Sequence, residues 1–185
     1  MSPHRSATMT NRNTSVTIQD DAWLINGAPT YRGREYQGHK IEGLLLNSRM
    51  ANALFNDTNK LTQVLWKYPD TDAWDPDRNT SEFISTLPEY RSRGLLAVTV
   101  NLQGASPFGY YRLPEFRKLM KSLGIDVPDE TMWAGLPEPE SQPWHNSAFD
   151  AEGELVQPFM DRLTQILEAT DDLGMVVIMG CFYFG

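Results

Sequence analysis

Cysteine is almost missing from these 185 residues. The single Cys181 excludes an internal disulfide framework, and its place in an apolar run reads as a small core residue, not an activated thiol. Positive charge is short as well. Sixteen Lys and Arg against twenty-four Asp and Glu leave a net charge of −8, and no basic stripe stands out, so nucleic acid is not an expected partner. No apolar run approaches the roughly 18 residues of a membrane-spanning helix, so no membrane partner is expected. Residues 1–21 lack the apolar centre of a secretory signal; they read as a disordered tail, with the cytoplasm as the default location. Outside that tail the histidines are His39 and His145, neither in a metal-binding pattern, and no glycine-rich phosphate loop follows an apolar stretch. No metal and no cofactor are expected.

What is present is a repeated alternation of strand-like and helix-like segments. Trp23 to Tyr31 carries a hairpin signal, with Asn26-Gly27 as a type I′ turn. Tyr31 to Gly38 reads as irregular, and Ile41 to Asn47 as a first buried strand ending in Asn47-Ser48-Arg49. A long connection then holds Trp66, Tyr68, Trp74 and the acidic residues Asp70, Asp72, Asp75 and Asp77, whose spacing fits a solvated turn and not a calcium loop. The spacing predicts a helix from about Thr80, with Asn79 and Glu82 as a capping box, a kink at Pro88 and an end at Gly94. The second strand is Leu95 to Leu102, closing on Asn101, Gln103 and Gly104. A long uneven connection follows, with a short helix over 114–123 and with Trp133 and Trp144. The last helix has Phe159, Leu163, Ile166 and Leu167 on one face, Pro158 in its first turn and Gly174 just past its end. It leads into Met175 to Phe184, an apolar run that reads as a strand buried on both faces.

Helical crossovers make the three strands parallel and the connections right-handed. Two α/β architectures fit: an open doubly wound sheet, or the start of a (β/α)8 barrel. Polar residues at each strand's C-terminal end and aromatic loops beyond them favour the barrel, although three strands of eight cannot close one. In that reading Asn47, Arg49, Gln103 and Tyr183 point into one pocket, and Trp66, Trp74, Trp133 and Trp144 offer flat faces to sugar rings. The plainer alternative is that the tryptophans pin long loops, Arg49 pairs with an acid and the amides satisfy loop backbone.

Trp23-x-Ile-Asn-Gly-x-Pro-Thr30 resembles the N-terminal hairpin of TIM-barrel glycoside hydrolases of the large retaining clan. Phe149-Asp-x-x-Gly153, Phe159-Met-x-Arg-Leu163 and the Gly174-Met-Val-Val-Ile178 strand resemble that clan's second helix and third strand. Ile41 to Arg49 and Gln142-Pro-Trp-His-Asn-Ser-Ala-Phe149 look closer to cellulase-like members. The resemblance covers 22–185, with 110–141 fitting poorly and reading as an insertion. It implies an N-terminal β-hairpin followed by the first three units of an incomplete TIM barrel, acting on a β-linked poly- or oligosaccharide. The clan's two catalytic glutamates end the fourth and seventh strands, and Glu35 and Glu42 match neither, so no catalytic residue is assigned and the chain alone is expected to be inactive. What carries over is a substrate-binding wall of Asn47, Arg49, Gln103, Trp144, His145, Asn146 and Tyr183. A non-catalytic carbohydrate-binding fragment and an unrelated small open α/β domain stay open as alternatives. An uncovered third strand would also make the chain self-associate through its edge.

Overall fold

The computed structural model describes residues 12–60, 62–104, 118, 121–122, 124 and 144–182. Strands β1 (Val16–Gln19), β2 (Ala22–Ile25) and β3 (Ala28–Pro29) form an antiparallel meander. Ile25 pairs with Ala28, and Asn26 and Gly27 sit at φ 53° and 76°, the two left-handed residues a type I′ turn requires. β1 corrects the disordered-tail expectation for 16–19. Its Val16 pairs with Ile25, and just ahead of it the Asn13 and Thr14 amides donate to the Asp171 carboxylate, both at 2.8 Å. These side-chain anchors have no local signature. The stretch read as irregular contains a second hairpin, β4 (Glu35–Tyr36) and β5 (His39–Lys40), turning through Gln37 and Gly38 at φ 49° and 77°.

The main sheet is parallel, in sequence order: β6 (Asn47–Arg49), β7 (Ala97–Asn101) and β8 (Val176–Gly180). The expected first strand at 41–47 lies too early. Trp23 N–H donates to Gly43 O, Gly43 N–H to Thr30 O and the Thr30 hydroxyl to Leu44 O, so 43–44 bonds the hairpin and not the sheet. Pairing to β7 starts only at Asn47, and Leu44 and Leu46 are left exposed.

Two helices make the crossovers. α1 (Pro76–Ser92) begins a turn ahead of its sequence-based start: Asp75 is the cap, accepting from the Asp77 and Arg78 amides, and Pro76 opens the helix. Asn79 is inside the helix and its amide donates to Asn52 O. The helix continues through Pro88, and Gly94 follows it at φ 93°. α2 (Gln157–Asp172) has Pro158 in its first turn and Gly174 beyond its end at φ 64°, as the sequence indicates.

Val98 and Val100 are fully buried under both helices, against Leu87 of α1 and Phe159, Leu163 and Ile166 of α2, with Phe83 and Ile84 packed alongside. β8 is not buried on both faces. It pairs with β7 alone among the described strands, so Ile178 and Met179 are exposed, and Cys181 beyond it is exposed and not a core residue. Of the 110–141 segment and the 114–123 helix, Lys118, Lys121, Ser122 and Gly124 are described, the first three in helical conformation. The rest, with Trp133, lies outside the described residues, as do residues 1–11 and Tyr183. No described helix is long and apolar enough to cross a membrane.

Candidate functional site

In a parallel sheet the C-terminal strand ends collect at one edge, and there the connecting segments can build a site. Side-chain alternation then sorts the two faces. Since Val98 and Val100 face the helices, the register places Asn47, Arg49, Thr99, Asn101, Ile178 and Gly180 together on the opposite face. The Thr99 hydroxyl donates to Asn47 Oδ1 at 3.0 Å, cross-linking β6 and β7 on that face.

Asn101 closes the central strand. It is 4% exposed, and its Nδ2 has no hydrogen-bond partner among the described residues. Leaving a buried donor unsatisfied costs about 1–3 kcal/mol, so such a group at a strand's C-terminal end is a site signal. Its Oδ1 lies where a Cβ on Gly180 would have to go, so the neighbouring strand has glycine at the one place the amide needs room. The Asn52 Oδ1, in the turn after β6, is a second buried amide atom without a partner.

The segments beyond the strand ends are held by one buried carboxyl group. Asp57 is fully buried, and four donors fill its two oxygens. Oδ1 accepts from the Asn59 and His145 amides at 2.9 and 3.0 Å, and Oδ2 from the Thr62 hydroxyl and Trp66 Nε1 at 2.5 and 2.8 Å. Nearby, Asn56 N–H donates to Asn146 Oδ1, Asn146 Nδ2 to Gly104 O and Trp74 Nε1 to Asn56 Oδ1. The loop after β6 is therefore stitched to the segment that precedes α2, more than eighty residues away.

Trp66, Trp74 and Trp144 join this knot. Phe55 meets Trp66 and Trp74 edge-on at 5.3 and 5.6 Å, and Trp66 meets Trp144 edge-on at 5.9 Å. Tyr68 is stacked between Trp74 at 6.0 Å and the Arg78 guanidinium at 3.8 Å. Burial and the hydrogen bond to Glu82 push the Tyr68 hydroxyl up to about 12. Arg78 also holds Asp70 at 2.8 Å and Glu82 at 2.7 Å, so the acidic run serves the start of α1. Trp66 and Trp74 each engage their ring N–H and ring edges internally, so their main visible work is loop fixation.

The seven residues singled out from sequence thus separate. Asn47 and Arg49 share the polar sheet face, both exposed, with Asn47 at the start of its strand and Arg49 at its end. Gln103 pairs with Ser147 just past β7 and is half-buried. Trp144 is buried, His145 contributes its backbone to Asp57 and Thr58, and Asn146 braces two loops. Tyr183 lies outside the described residues. Sequence reasoning missed Asp57 as the tie and Asn101 as the site-facing amide. The Asn-Asp-Thr run at 56–58 beside Phe55 was an available signal, since Asp57 makes an Asx turn to Asn59.

Chemically, the face offers amides, a hydroxyl and a guanidinium, and none of its residues is a carboxylate. Asp57 has every acceptor position occupied by a donor, which leaves it no lone pair for general-base work. Among the described residues no three His, Cys, Asp or Glu side chains gather as a metal set. No protein-family model, no curated protein and no solved structure matches this chain.

Proposed function

We propose that this chain is the N-terminal portion of a TIM-barrel glycoside hydrolase acting on a β-linked poly- or oligosaccharide, and that it supplies substrate-binding wall while the catalytic carboxyl pair lies in later units. The observation that carries this reading is the in-order parallel sheet with both helices on one face and Asn47, Arg49, Thr99 and Asn101 on the other. In a barrel the helix-free face is the interior, and its upper layer borders the active-site end. Amide, guanidinium and hydroxyl groups suit sugar hydroxyls, and the unpartnered Asn101 donor is the group with most to gain from one. A retaining mechanism needs two carboxyl groups about 5–5.5 Å apart, and the polar face has none to provide.

The reading is tested by titrating the chain calorimetrically with soluble β-glucan and xylan oligosaccharides, alongside a reducing-sugar assay. Saturable binding, weakened about tenfold by Asn101→Ala and without release of reducing sugar, is the expected result; tenfold corresponds to about 1.4 kcal/mol. Hydrolysis by the chain that disappears on replacing one of its own carboxylates would overturn the division of labour. Absence of binding across the panel would overturn the substrate wall.

A further inference from the structure

A groove of about 490 Å³ lies at the other end of the sheet, where the strands begin and both helices end. Its walls come from the first hairpin, the segment after it, the last turn of α1 with Gly94 and Leu96 beyond it, and Gly174 past the end of α2. Arg32, Arg34 and Arg91 line it, with Asn26, Tyr31 and Ser92, and no Asp or Glu is among the lining residues. That concentration is unusual in a chain with a net charge of −8.

Helix ends explain part of it. Each helix C-terminus carries about half a negative charge, and guanidinium groups are favourable there. Arg91 Nε donates to Leu173 O, at the residue that caps the end of α2, at 2.9 Å, and the Tyr31 hydroxyl donates to Gly94 O beyond α1 at 2.9 Å. Two helix ends together supply about one negative charge, whereas three guanidinium groups supply three positive ones. About two positive charges are left over.

None of the acids nearby pairs with a guanidinium of the groove. Glu42 feels Arg32, but its carboxylate is engaged by the Gly33 amide at 2.7 Å and by Lys40 at 3.1 Å. Asp171 and Asp172 keep their charge, held by the neutral Asn13 and Thr14 donors, but neither lines the groove or pairs with one of its arginines. Glu89 is paired with Arg93 at 2.7 Å. The Arg32 and Arg34 side chains are exposed, and neither guanidinium makes a hydrogen bond or ion pair with a described residue, which leaves both planar donor forks available.

We propose that this groove binds a small organic dianion, a phosphate monoester or a dicarboxylate, through Arg32, Arg34 and the free edge of Arg91, with Asn26 and Ser92 adding neutral hydrogen bonds. Its volume falls in the ordinary range of small-molecule sites, about 300–1,000 Å³. The site lies on the opposite end of the sheet from Asn101, so it stands or falls independently of the carbohydrate reading.

The test is calorimetric titration of the full chain at low ionic strength with inorganic phosphate, with succinate and with uncharged glycerol. One-site binding of phosphate, of succinate or of both is expected, together with no saturable heat from glycerol. Phosphate alone identifies the phosphate monoester as the source, and succinate alone the dicarboxylate. The double variant Arg32→Gln/Arg34→Gln should bind at least tenfold more weakly with an unchanged melting temperature, because both side chains are exposed. Arg32→Lys/Arg34→Lys should recover part of the loss through charge alone. Saturable heat from neither anion, equal binding of glycerol, or wild-type affinity in the double Gln variant would overturn the proposal.

Discussion

Replacing Asp57 by alanine takes the acceptor away from two backbone amides, a hydroxyl and an indole N–H at once. Hydrogen bonds to a carboxyl group of this kind contribute about 1.5–3 kcal/mol each, and simple addition of four would give about 6–12 kcal/mol. The four share one acceptor, so their losses are not additive, and water can enter the space left by the side chain. A destabilisation of about 3–5 kcal/mol is the expected value, comparable with breaking a buried ionic network by removing one partner. Asp57→Asn is the sharper probe. One oxygen remains for the Asn59 and His145 amides, and the Thr62 hydroxyl can turn to accept, but the Trp66 N–H would face an NH2 group and can only donate. That variant should lose about 1–3 kcal/mol, less than alanine, with the loss centred on Trp66. Urea unfolding gives both values, and the indole N–H resonance of Trp66 reports the local change. An asparagine variant within about 0.5 kcal/mol of wild type, with its Trp66 resonance unmoved, would refute the assignment of Asp57 as the tie between the two loops.

Gly180→Ala should displace the Asn101 amide and cost about 1–3 kcal/mol, read by thermal melting; the reasoning fails if the alanine variant melts like wild type and Asn101 keeps its rotamer. The edge of β8 that no described strand pairs with, with Met179 47% exposed and Phe182 just beyond it 71% exposed, should make the chain associate as concentration rises. Met179→Lys should shift sedimentation toward monomer, and a wild-type chain that stays monomeric at every concentration would contradict this. The Asp171 carboxyl is held below its ordinary value of 3.8, first by the Asn13 amide and then by Thr14. A carboxyl group depressed by folding stabilises the folded state above its unfolded value and loses that contribution as pH falls through the folded one. Acidification below about pH 3.8 should therefore release the Asn13–Thr14 anchor, seen as faster hydrogen exchange at the Thr14 amide, and Asp171→Asn should remove most of that pH response.

Elements with strong local chemistry were legible. Asn26-Gly27 imposes a turn through its own backbone preferences, and α2 is bracketed by Pro158 and Gly174 around a clean apolar face. The start of α1 shows the limit. Asn79 with Glu82 fits a capping box by pattern, but Asp75 takes the cap by accepting from the Asp77 and Arg78 amides, which places Asn79 and then Thr80 inside the helix. There the Thr80 hydroxyl donates to Ala53 O at 2.8 Å, while Arg78 joins Glu82 to Asp70. The candidate site was legible as a zone but not as roles. Trp66 and Trp74, chosen for their flat faces, fix loops, and among the described residues the amide with an unpartnered buried donor is Asn101, which the sequence marked only as a strand end.

The last strand illustrates the same division. Its run from Met175 through Phe184 established, by composition and by the helix and Gly174 ahead of it, that a parallel β-strand follows a crossover. Apolar content could not establish burial, because burial depends on which neighbour lies on each side. Among the described strands the tertiary arrangement put β7 on one side only, leaving Ile178 and Met179 exposed and that backbone edge without a described partner. Local pattern thus determined the order and kind of the elements along the chain. Which faces are covered, which carboxyl group is filled by donors and which amide is left without a partner depended on residues far apart in sequence, and only packing brings those together.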